Sequence, residues 1–300
     1  MQYFDLHCDT LYEAVTKKTD ISNLFLEANV SSGKKFDKWC QCMAIWIPDG
    51  IRQSARLSLF KKAYNQLKTD AERFRLKQFN SIGNNDNYNY IFTIENASIL
   101  DGNIDNIKLL TEYGIKMATL TWNDKNSIGG GADTQELGLS DFGRICVKEF
   151  EKNGIIIDIS HASDKTFFDV LECSSLPFCA SHSNSRFLCS HRRNITDEQF
   201  LEIARRKGVV GINFHKDFLN DNRERASITD VLKHIEHFLS LGGEDTVCFG
   251  SDFDGADPVD ELSNLDKISN LYESLLKLGY NEQLVQKIMY NNAYNFFSRF

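Results

Sequence analysis

The chain has 300 residues, 42% hydrophobic and 25% charged, with only 3 Pro and a formal charge of -8. This composition can bury a large core, and the acidic balance argues against a nucleic-acid partner. No apolar run reaches the roughly 18–20 residues that cross a bilayer, and the first strand begins too early for a cleavable leader, so a cytoplasmic protein is expected. Most of the eight Cys lie in apolar runs, where a reduced thiol acts as a small hydrophobe. Cys40 and Cys42 form a CxC without the distant partners of a zinc knuckle and read as structural.

In chain order, short runs rich in Ile, Val and Phe occur at 3–8, 40–47, 90–94, 115–121, 155–160, 177–181, 208–214 and 246–252. Helical patterns fill 51–80, 104–113, 141–153, 164–173, 196–207, 227–241, 262–277 and 281–297. Eight repeats of strand and helix, with no linker and no shift in composition, predict an α/β fold: one (β/α)8 TIM barrel spanning 1–300. A doubly wound sheet would have fewer strands and a Gly-rich turn after the first, where this chain reads HCDTL. Two polar or Gly-rich loops stand out, at 81–89 and 127–139. The second follows the fourth strand on the face where barrels keep their active sites, and reads either as a pocket wall or as a plain connection.

Polar residues recur at the carboxyl ends of the runs. The first offers His7 and Asp9, which alternation along a strand would aim to one side while Cys8 points away. Nitrogen and carboxylate donors at that spacing suit a borderline divalent ion such as zinc. Later runs add Glu95 in FTIEN, His161 in IIDISHAS, His182 in FCASHSNSR and Asp252 in CFGSDFDG. Closing the barrel would gather all six at one rim, a cluster too costly to bury without cations. Of the remaining histidines, His191 and His215 fall near that rim, whereas His234 and His237 lie on a helical face expected to meet solvent.

The motifs DLHCDT, IEN, ISHAS, ASHSNSR, RRNITDE, GINF and GSDFDG, in this order, resemble the membrane dipeptidase (renal dipeptidase) family of zinc peptidases. The resemblance implies a barrel with two zinc ions per chain. Glu95 would bridge them, His7 and Asp9 would complete one ion's ligands, and His161 and His182 the other's. Ions about 3.5–4 Å apart can share a water and hold it as hydroxide near neutral pH, the implied nucleophile on the amide of a dipeptide. By the same likeness Asp252 moves the proton and Arg193 grips the substrate's free carboxylate. A homodimer is also suggested.

One departure stands out. Where well-known members read LTH, with a histidine that contacts the substrate, this chain reads LTWN, placing Trp122 there. An indole donates one hydrogen bond but carries no proton or charge. Oxyanion support would then come from a metal ion, Asn123 or Asn126, or Trp122 would form an apolar wall. Two other readings stay open: a metal-dependent amidohydrolase acting on a lactone, cyclic imide or phosphoester, and a dipeptide-binding barrel without turnover. Many amidohydrolases bridge their metals with a carboxylated lysine, for which Lys116, near the start of its run, is poorly placed.

Overall fold

A computed structural model describes residues 1–80 and 86–300; residues 81–85 of the expected 81–89 loop lie outside the described residues. Seven parallel strands form ladders: β1 (Gln2–Cys8), β2 (Lys38–Trp46), β3 (Tyr88–Glu95), β4 (Met117–Thr119), β5 (Ile156–Asp158), β7 (Val210–Ile212) and β8 (Val247–Phe249). The predicted run 177–181 supplies β6, held by single bridges from Cys179 to Asp158 and from Ala180 to Val210. With β8 paired to β1, these bridges close the cylinder. The β6 segment makes too few regular bonds for a ladder, and a two-residue strand, Lys77–Gln78, is added on the edge of β3.

Parallel strands buried on both faces need apolar residues on each. Phe4, Leu6, Cys40, Cys42, Ile91, Met117 and Cys248 form an inner cluster, while Tyr3, Trp39, Met43, Phe92 and Ile94 belong to the layer beneath the helices. The cysteines are free, and all except the half-buried Cys173 are buried.

Three of the helices over the later strands start where capping residues satisfy their first amides. Ser140 accepts from Gly143 N, Ser163 from Thr166 N, and Thr196 forms a reciprocal box with Gln199. The predicted helix 51–80 is shorter, Gln53–Phe74, because Arg75 turns left-handed at φ 55°. The predicted 281–297 helix is interrupted by a π-turn over Lys287–Asn291. Among the described residues, no helix is long and apolar enough to cross a membrane.

Candidate metal centre and substrate cavity

Beyond Leu6 the alternation in β1 breaks. Asp5 pairs with Gln41 but Cys8 with Met43, so β1 spends one residue more than β2 over this stretch. The strand then ends, and Asp9 precedes the helix Thr10–Lys17. His7 and Asp9 still meet, His7 Nε2 lying 3.4 Å from Asp9 Oδ2. They do so through a bulge and a turn, not through the regular alternation the sequence suggested. Backbone bonds from Asp9 N to Phe253 O (2.8 Å) and from Asp252 N to His7 O (3.2 Å) tie this strand end to that of β8. Asp252 Oδ1 is thereby 3.7 Å from His7 Nε2.

Glu95, at the end of β3, reaches both sides of the barrel. Its Oε1 is 2.8 Å from His161 Nε2 and 3.7 Å from His182 Nε2, while Oε2 is 3.8 Å from His7 Nε2. One carboxylate thus faces three imidazoles, of which His7 and His182 stack with centroids 3.9 Å apart. Asn96, His161 and Asp252 hold φ at 72°, 68° and 64°, a left-handed backbone that Asn, His and Asp adopt more readily than other non-glycine residues.

Buried polar atoms left without partners test whether ions fit here. His7 Nε2, His182 Nε2 and Asp9 Oδ1 are such atoms, all aimed into this cluster of nitrogen and carboxylate donors. The electrostatics agree. Burial opposes charge on His7, yet Glu95, Asp9 and Asp252 outweigh it and raise its pKa to about 10. Burial also raises the pKa values of Asp9 and Glu95, and lowers those of His161 and His182. The cluster therefore favours added positive charge while leaving two imidazoles neutral, which is the form that binds a divalent ion.

Asp9, Glu95, His161 and Asp252 open onto a cavity of about 410 Å³ that Tyr12, Glu13, Trp46, Trp122 and Arg193 also line. Arg193 is only 5% exposed, and its guanidinium stacks 5.3 Å from the centre of the Phe218 ring. Its Nε and Nη2, the edge that pairs bidentately with a carboxylate, have no partner. Burial lowers the pKa of Arg193 to about 10 against the pull of Asp252 and Glu95, which leaves it charged at neutral pH. Asp252 Oδ2 accepts from Asn213 Nδ2 at 2.8 Å. Tyr12, Trp46 and Trp122 form a chain of aromatic contacts, each 5.0 Å between centroids.

Several residues act otherwise than expected. Asn126 donates to Leu120 O and Asn96 Oδ1, and accepts from Ile128 N. It staples the 127–139 loop and has no free donor for a substrate. Asn123 does line the cavity, but its Oδ1 sits 2.8 Å from His161 Nδ1. The loop itself is bridged at Gly129–Leu139 and Gly131–Ala162, and its Asp133 reaches the cavity wall to pair with Arg192 at 2.6 Å. His191 and His215 border the cavity. The expectation that His234 meets solvent is corrected: it is fully buried, with Nδ1 accepting from Ser185 N and Nε2 against Leu219 O. His237 is half-buried, paired with Asp197 and stacked on Phe187. Lys116 lines a cavity with Phe297 and Phe300 at the opposite end of the barrel, far from any metal-bridging position. Asp158 and Ser181 escaped the sequence reading, although an acid within the apolar run IIDIS is itself a signal that buried donors surround it.

A model of the membrane dipeptidase family (peptidase family M19) matches residues 1–299. A Klebsiella pneumoniae protein described as an uncharacterized protein in the pqqA 5′ region is 33% identical over 210 residues, 66% of this chain and 77% of that one. A metallopeptidase from Rhodobacter sphaeroides, solved with a phosphinate mimic of the dipeptide L-Ala-D-Ala, superposes with a TM-score of 0.91 at 25% identity, over 100% of this chain and 99% of that one. The solved dipeptidase AC, a metallopeptidase, gives a TM-score of 0.92 at 26% identity, covering 100% and 98%.

Proposed function

Since the chain belongs to the membrane dipeptidase family, we propose that it is a zinc-dependent dipeptidase cleaving the single amide bond of a dipeptide. One observation carries the reading: a buried arginine with an unpaired bidentate edge lines the same cavity as Asp9, Glu95, His161 and Asp252, which cluster with the partnerless ring nitrogens of His7 and His182. A small substrate with a free carboxylate satisfies the first, and two divalent ions satisfy the second. His7 and Asp9 would hold one ion, His161 and His182 the other, with Glu95 between them. When bound, such ions lower the pKa of water and draw charge from the scissile carbonyl.

The protein's own residues do the rest. Arg193, steadied on Phe218, receives the carboxylate through Nε and Nη2 and so sets where the amide lies. Asp252, oriented by Asn213, takes a proton from the attacking water and returns it to the leaving amine. Trp46 and Trp122 shield this region from bulk water, and Asp9 and Glu13 give the substrate ammonium an acidic neighbour. With the carboxylate pinned at Arg193 and the ammonium beside these acids, a longer peptide would not fit between them.

The test is a zinc-loaded screen of dipeptides, their C-terminal amides and tripeptides. Cleavage confined to free-carboxylate dipeptides is expected, with Arg193→Lys raising KM far more than it lowers kcat. Equal cleavage of the amides would remove Arg193 from its role, and no cleavage of any dipeptide would end the proposal.

A further inference from the structure

Two buried aspartates grip the barrel mouth in the same way. Asp5 accepts from the amide and hydroxyl of Ser251 at 2.8 and 2.6 Å, and Asp158 accepts from the amide and hydroxyl of Ser181 at 2.8 and 2.5 Å. The first meets His7 only through its backbone, whereas the second reaches an imidazole, because Ser181 Oγ also lies 2.6 Å from His182 Nδ1.

Counting protons assigns the roles. Asp158 further accepts from Thr119 Oγ1 at 2.7 Å and from Ser160 N at 3.0 Å, so four donors surround one carboxylate. The single hydroxyl proton of Ser181 goes to Asp158, its nearest acceptor, and Ser181 Oγ must then accept from His182 Nδ1–H. His182 Nε2 is left with its lone pair, facing Glu95 Oε1 at 3.7 Å with no proton between them. Ser181 has little room to move: a Cβ on Gly211 or Gly250 would collide with its carbonyl, so both glycines are needed for this close approach.

We infer that Asp158 and Ser181 are positioning residues that fix the tautomer of His182 and thereby present Nε2 to a divalent ion. This rests on reading the site as a metal centre. His161 is oriented differently, by the neutral amide oxygen of Asn123. A carboxylate backs the hydroxyl that holds His182, so loss of the relay falls on the ion held by His161 and His182 and spares the one at His7 and Asp9.

The first measurement is the 15N shift of His182 in metal-free, histidine-labelled protein. A neutral ring protonated at Nδ1 is expected, and protonation at Nε2 would overturn the inference. The second is competitive zinc titration against a chromophoric chelator, repeated with Co(II) for its visible spectrum. Ser181→Ala is expected to weaken one of two ions by about 10- to 100-fold, Asp158→Asn to weaken the same ion less, and Ser181→Thr to restore it. Both ions bound by Ser181→Ala at unchanged affinity would overturn the inference. Should that variant not fold, the tautomer in the unaltered protein decides. If the unaltered protein bound no divalent ion, the metal-centre reading would fail, whereas the tautomer would still be right or wrong by itself.

Discussion

The two ends of one barrel differ in kind. At the floor, Phe4, Leu6, Cys42, Ile91 and Cys248 pack beneath Tyr290, Phe296 and Phe297 from the last turns of the chain, with Phe4 and Phe297 stacked at 5.5 Å. At the mouth, the same strands end in His7, Glu95 and, past β8, Asp252, with buried atoms that have no partner within the protein. The floor is therefore held by apolar packing, which keeps the cylinder shut. The mouth is tolerated because the floor holds it, and under the proposed function ions and substrate would complete it. Free energy lost at one end of the strands is offset at the other, so the two ends should respond to mutation through different observables.

The largest effect belongs to the mouth. Glu95→Gln keeps the shape but removes the charge that faces the three imidazoles, so activity should fall about 10²- to 10³-fold, and zinc per chain should drop in elemental analysis. Burial already disfavours the Glu95 carboxylate, so the metal-free variant should melt no lower than metal-free parent protein. A clear loss of stability in the apoprotein would mean that the mouth contributes to folding without ions, and the contrast would fail.

The floor should behave in the opposite way. Phe4→Ala opens a cavity in a fully buried aromatic cluster, at a cost of about 3–5 kcal/mol, measurable by denaturant titration. Zinc content and KM of the folded fraction should stay as they were. If metal content fell in step with stability, the two ends would be one cooperative unit.

A third, smaller effect lies between the ends, at His234. Burial lowers its pKa from the ordinary 6.5 to about 4. The unfolded chain thus takes up a proton first as pH falls below about 6.5, and stability should drop from there to about pH 4 and stay flat below. Between pH 7 and pH 5 the share of this one group is about 2 kcal/mol. Denaturation of zinc-free protein should show it, and His234→Asn should lose that much less over the same interval.

The contrast also marks what a reader of the sequence could see. The clustered acids and imidazoles of the mouth were legible because each strand end carries its own chemical signature, and the floor because inner and outer faces alternate in type. Asp158 and Ser181 were not, because a hydroxyl has meaning only through its partners, and Ser181 meets Asp158 across two staves that the chain order separates. The β1 bulge was hidden for a related reason: HCD reads as regular alternation until pairing with β2 reveals the extra residue. Asn126 and Asn123 looked alike in LTWNDKN, yet one turns to its own loop and the other to His161. His234, spaced like a surface histidine, is buried because the turn at Ser185 needs an acceptor.

Trp122 gives the smallest effect and the finest division between the ends, for it is a floor-type residue placed at the mouth. It packs on Trp46 and tilts 5.9 Å from His161, half-buried beside the cavity. Removing its ring in Trp122→Ala should cost about 1 kcal/mol of stability through the lost aromatic contact. An indole cannot shuttle a proton, so kcat on a small dipeptide such as Ala-Ala should change little. KM should rise for dipeptides with large apolar side chains, which lose a wall, and remain nearly constant for Gly-Gly, which never touched it. A uniform fall in kcat across that series would instead place Trp122 with the reacting atoms, through its single N–H, and would move it from the wall to the chemistry.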